Sequence, residues 1–177
     1  MPPGDSEGRC CHCEDFGQLV IGTYTPPLTE AAYERYLQEF GALYQRRQRF
    51  LIIFDATRTP DMPAPLRRRQ AEWNKENDAL LRRYLIGVAF VFSSPASRFV
   101  LSSMFLLKPL PVPYTVCATR EEALIWAGSA LRRAGIEPAL ILARARARPP
   151  FANAAGPGAQ GPPEVVSARV PAPRQAR

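Results

Sequence analysis

The densest chemistry in the chain is Cys10-Cys11-His12-Cys13. Thiols and an imidazole are zinc ligands, yet zinc sites usually draw on separated pairs, because neighbouring side chains point apart. No well-placed fourth ligand accompanies these residues, and Cys117 falls in a predicted strand. The expectation is a reduced thiol cluster, with no metal and no cofactor. His12 is the single histidine of the chain. A Ser-His-Asp or Cys-His site in the body of the protein would have no imidazole. Gly22 and Gly87 stand alone rather than in a phosphate-cradling loop. These observations together disfavour an enzyme.

A second cluster is Asp55-Ala56-Thr57-Arg58-Thr59. It follows an apolar strand, so Asp55 is expected at the carboxyl end of a parallel sheet, where α/β folds place ligands. Asp55 then either caps its own loop or, with Thr57, Arg58 and Thr59, forms a site for an anion or a partner. Arg67, Arg68 and Arg69 open the next predicted helix, against the dipole preference of a helix N-terminus. Arg98 falls in the first turn of a later helix, at the same end of the sheet. These arginines read either as a patch for phosphate or carboxylate or as a solvated face. Gln70 and Asn77 share the helix stripe of Trp73, as a polar pocket, a buried network or a half-exposed edge. A buried amide left unpaired costs about 1–3 kcal/mol, so each needs a partner if buried.

The elements that must position these groups alternate. Residues 18–25 read as a strand near an edge, stopped by Pro26-Pro27. Thr29 caps a helix whose apolar stripe is Tyr33, Tyr36, Leu37, Phe40, Leu43 and Tyr44. Residues 50–54 (FLIIF) form a fully apolar strand. A helix from Leu66 carries Trp73, Leu80 and Tyr84, and Gly87 is expected to break it. Residues 88–92 form a second apolar strand, and Ser94-Pro95 opens a short helix to residue 107. Three prolines lead to a short strand at 114–118. Thr119-Arg120-Glu121-Glu122 is a capping box, and Gly135 closes that helix.

The order predicts an α/β fold: a four-stranded, mainly parallel sheet in the order 1-2-3-4, a right-handed βα superhelix. Such a superhelix sets its helices on one face. The apolar strands then need cover on the other, from residues 136–143 or from a second copy of the chain. Monomer and homodimer both remain open. The expected organisation is a disordered leader at 1–15, one domain at 16–143 and a disordered Pro/Ala/Arg-rich tail at 144–177.

The formal charge is +7, but six arginines after residue 138 against one glutamate put +5 of it in the tail. The near-neutral remainder argues against a specific nucleic-acid surface. No apolar run is long enough to span a bilayer, and the N-terminus lacks a signal-peptide core, so a cytoplasmic location is expected.

The succession LVIGTYTPPLTEAAYERYL, FLIIFDAT, RRRQAEWNKEN, GVAFVFSSPASRFVLSSMF and EEALIWA resembles the SpoIIAA-like (STAS/SEC14-type) domains, over roughly residues 19–135. The resemblance implies a non-catalytic, regulatory protein-interaction module of bacterial signalling, of the anti-sigma factor antagonist type. Some relatives bind a nucleotide or lipid. The alternative it implies is a small-ligand or lipid-binding module of SEC14-like type, with an apolar pocket near Trp73 and Phe105. In the antagonists an Asp-x-Ser followed by glycine stands just after the second strand, and the serine is phosphorylated. Here Asp55 matches, the serine and glycine are absent, and prolines lengthen the loop. Thr57 and Thr59 are the hydroxyls available for such a switch.

Overall fold

A computed structural model describes residues 10–26, 28–58, 62–98 and 110–148. Its centre is a five-stranded sheet in the order β1-β2-β3-β4-β5, formed by Cys11–Asp15, Leu19–Tyr24, Phe50–Asp55, Leu85–Val91 and Tyr114–Cys117. β1 runs antiparallel to β2, and the other three pairings are parallel. The helices are α1 Glu30–Tyr44, α2 Ala64–Glu76, α3 Asp78–Tyr84, α4 Arg120–Arg133 and α5 Ala139–Ala147.

Local chemistry explains most boundaries. Thr29 accepts from the amide of Ala32 (3.2 Å) to start α1, and Thr119 accepts from Glu122 (3.2 Å) to start α4. The reciprocal arm of that capping box reaches one residue further back than expected: Glu122 Oε2 accepts from the amide of Ala118 (2.9 Å). Gly135 takes a left-handed backbone (φ 77°). The amides of Gly135 and Ile136 then bond the carbonyls of Arg132 and Leu131, closing α4 in a Schellman motif. Ser94 Oγ accepts from Ser97 N (3.4 Å), and residues 95–98 are helical; the rest of that expected helix, to residue 107, lies outside the described residues.

The sheet is covered on both sides. One face packs Val20, Ile52, Phe54 and Val88 against α1, α2 and α3. The other packs Leu19, Ile21, Leu51, Ile53, Ala89 and Val91 against α4 and α5. The expected parallel order survives, with β3 and β4 in the interior, but four expectations are corrected. The sheet has five strands, not four. Residues 10–15, expected in an unstructured leader, include edge strand β1, which makes β2 an interior strand. The helix expected to run from Leu66 to Gly87 is two helices. Asn77 leaves helical values (φ −108°, ψ 15°) between them, and its Nδ2 donates back to the carbonyl of Trp73 (2.9 Å). Gly87 is a strand residue: a Cβ there would stand 2.8 Å from both the Pro113 carbonyl oxygen and the Trp126 ring.

The fourth correction concerns the helices. Not all lie on one face, because α4 follows the last strand. It joins no two strands, so the handedness of crossovers does not constrain it. The second face is therefore covered from within the chain. The expected segment 136–143 contributes through Leu142, and Ala145 adds to it from beyond that segment, but α4 supplies most of the cover. Leu140 instead points to solvent, 64% exposed. α5 also runs four residues past the domain boundary expected at 143.

Candidate functional site

The carboxyl ends of the parallel strands bring together part of the expected site. Asp55 is the last residue of β3 and is buried. Its Oδ1 accepts from both the amide (3.0 Å) and the hydroxyl (2.7 Å) of Thr57. This Asx-type turn holds Thr57 and Arg58 outward, and both are exposed. Ser93, just beyond β4, donates from Oγ to the Thr57 carbonyl (3.4 Å). Arg98 Nη1 donates to the carbonyls of Phe92 (2.8 Å) and Ser93 (3.1 Å). Its guanidinium therefore ties down the end of β4, and less of it is left for an anion than the sequence suggested. Thr59 lies outside the described residues.

The α2 candidates separate. Arg67 and Arg68 are exposed in its first half, with Arg67 Nη1 donating to the Met62 carbonyl (2.6 Å). Arg69 is drawn away to Glu34 of α1 (2.5 Å). Trp73 and Asn77 lie toward the other end of α2; the eleven-residue helical span from Leu66 to Asn77 covers about 16 Å. Trp73 is a core residue, 5.1 Å from Phe40 and 6.1 Å from Tyr44 between ring centroids. It does not line an apolar pocket, and Phe105, its expected neighbour, lies outside the described residues. Gln70 takes part in a satisfied network: Tyr33 Oη donates to its Oε1 (2.6 Å), and its Nε2 donates to Asn74 (2.8 Å).

A second polar feature, which no local pattern in the sequence marks, lies toward the same sheet end, on the face that Asp55 shares. Pairing sets His12 against Thr23, Thr23 against Asp55, Asp55 against Val91 and Val91 against Cys117. Residues paired across a sheet share a face, and Val91 and Cys117 belong to the α4 side. Two positions along β1, Glu14 is buried and bridged by Arg120 (3.5 Å) and Arg148 (2.9 Å). Arg120 also donates to the Ala145 carbonyl (3.2 Å), so one carboxylate clasps β1 to α4 and α5. Thr23 Oγ1 and Arg120 Nη1 are buried without hydrogen-bond partners among the described residues. Only the strand status of β1 could have revealed this row, and the crowded cysteines concealed it.

The period of the strand sets Cys11 and Cys13 on one face and Glu14 on the other. Cys11 faces α1, while Glu14 faces α4. A hydrogen bond with Cys13 and burial push the Cys11 thiol up, and burial does the same for Cys10 and Cys117. Thiols held in the protonated form are weak nucleophiles and weak ligands. Among the described residues no three His, Cys, Asp or Glu side chains converge as a metal site, and no helix is long and apolar enough to cross a membrane.

Comparison of the chain with family models, curated proteins and solved structures finds no match.

Proposed function

We propose that the chain is a non-catalytic regulatory module that docks a partner protein, with the finer architecture of a right-handed STAS/SpoIIAA-like superhelix. The docking surface is the Thr57–Arg58 turn together with Arg67 and Arg68 at the start of α2. The observation that carries the reading is the clasp of Asp55 on Thr57. A buried carboxylate holds a hydroxyl on an exposed turn at the carboxyl end of the parallel strands β2 to β5. The Asp-x-Thr of this chain sets a carboxylate and a hydroxyl two residues apart, as an Asp-x-Ser does, with Thr57 in the place of the serine.

The chemistry of such a switch follows from charge. A phosphate on Thr57 would replace the hydroxyl proton with roughly −1.5 to −2 charges beside Asp55. Repulsion from the carboxylate would break the 2.7 Å contact and release the turn, while Arg58 offers the phosphate a nearby cation. Partner binding would then depend on the state of one residue.

The test uses the full chain as bait in a lysate of its source. A stoichiometric protein partner is expected, lost in an Arg58→Glu/Arg68→Glu variant that keeps its circular dichroism, and weakened in Thr57→Glu. Co-purification of a small molecule with no protein, or a partner indifferent to all three substitutions, would overturn the reading.

A further inference from the structure

We propose that the opposite end of the sheet carries a binding site for a small organic phosphate, in a cleft between the end of α1 and α3. The cleft has a volume of about 380 Å³ and is lined by Tyr44, Gln45, Arg47, Leu80, Arg83 and Tyr84. That size falls within the range of small-molecule sites. It lies where the chain enters β3 and β4, far from the Thr57 turn, and is independent of the role proposed there.

Two observations point to an anion. The lining carries two arginines and no acid. Neighbouring Arg46 and Arg82 are neutralised by Asp15 and Asp78. Arg47 and Arg83, in contrast, form no salt bridge among the described residues; Arg83 rests over the Tyr84 ring, 5.4 Å from its centroid. Second, Arg47 has a left-handed backbone (φ 53°) and is the one non-glycine residue with positive φ among the described residues. Glycine is the usual occupant of such a position after a helix, and an arginine there is strained. An observed outlier of this kind is a pointer to function.

Phosphate fits this donor set better than carboxylate. Two guanidinium forks, drawn from two segments of the chain, suit a group with more than two acceptor oxygens. A phosphate monoester offers three terminal oxygens and the larger charge. Leu80, 37% exposed, and the Tyr84 ring supply an apolar wall for the organic part.

The experiment is isothermal titration calorimetry of the full chain with phenyl phosphate, inorganic phosphate and benzoate. Phenyl phosphate should bind saturably with one site, about tenfold tighter than either of the others. Arg47→Ala and Arg83→Ala should each weaken it about tenfold or more, and Arg132→Ala on α4 should leave it unchanged. Should Arg83→Ala fail to fold, Arg83→Lys keeps the charge and loses the fork, and should weaken binding several-fold. No saturable binding below about 10 mM overturns the proposal. So does equal affinity for benzoate, or binding by the Arg47 and Arg83 variants at the parental strength.

Discussion

The two faces of the sheet are built from different materials. Under α1, α2 and α3 the core is made of rings: Tyr24, Tyr33, Tyr36, Phe40, Tyr44, Phe50, Phe54 and Trp73 pack in an unbroken series with centroids 5.1–6.3 Å apart. Under α4 and α5 it is made of aliphatic and small residues, with Ala123, Ala127 and Ala130 against Leu51, Ile53 and Val91. Edge-to-face and offset rings gain about 0.5–1.5 kcal/mol per pair beyond their buried area, but need set angles. Small residues gain little individually and let a helix approach closely: a Cβ on Gly128 would already stand 2.8 Å from Leu142 Cδ1. The ring face thus carries the hydroxyls of its tyrosines near its centre. The aliphatic face keeps its polarity at the margin, as the ion cluster of Glu14.

Alkali should separate the faces most strongly. Burial pushes Tyr24, Tyr33, Tyr36 and Tyr44 above the ordinary value of 10.0. Below pH 10 both folded and unfolded chains keep these protons, so stability is flat. Above it the unfolded chain releases them and the folded chain does not. Stability then falls by about 1.4 kcal/mol per ring at about pH 11, or about 6 kcal/mol for the four. Urea melts between pH 8 and 11 measure this, and a Tyr36→Phe variant should show a shallower loss.

Next in size is Trp73→Ala. It removes the ring on which Phe40 and Tyr44 rest and should cost about 4 kcal/mol in denaturant melts. On the other face, Leu142→Asp forces a charge against α4 and should cost about 3 kcal/mol. Leu140→Asp, one turn face away and exposed, should stay within about 0.5 kcal/mol. Equal losses at 140 and 142 would mean that α5 is rotated from the orientation described. Glu14→Gln leaves Arg120 buried without its counter-charge and should cost about 2–3 kcal/mol. Hydrogen exchange should then rise in β1 before it rises in β3. The smallest expected effect is Gly128→Ala: helix propensity gains about 1 kcal/mol, and displacement of the flexible end of Leu142 cancels most of it.

Much of the candidate site was legible because it depends on neighbours in sequence. Asp55, Thr57 and Arg58 are placed by one strand end and one Asx turn, a device three residues long. Arg98 was placed correctly at the sheet end, but its role as a clamp on two carbonyls depends on how the chain turns after β4. Trp73 shows the limit of a helical stripe. A helical stripe shows that a side chain faces inward, and only the neighbouring helix decides whether it meets a cavity or Phe40. The Glu14–Arg120–Arg148 cluster joins residues 106 apart in the chain, and no local pattern encodes such a pairing.

By itself the sequence determined the alternation of strands and helices, the parallel order of β2 to β5 and the caps at Thr29, Thr119 and Gly135. Each rests on periodicity or on hydrogen bonds within a few residues. Tertiary structure alone decided three things. It recruited Cys11–Asp15 as an edge strand, because a strand on a sheet edge is stabilised by the backbone it pairs with more than by its own composition. It sent α4 to the second face, since a helix after the last strand packs wherever apolar surface is open. It also left Arg47 and Arg83 beside one cleft, a proximity that comes from two chain segments meeting at the amino end of the sheet.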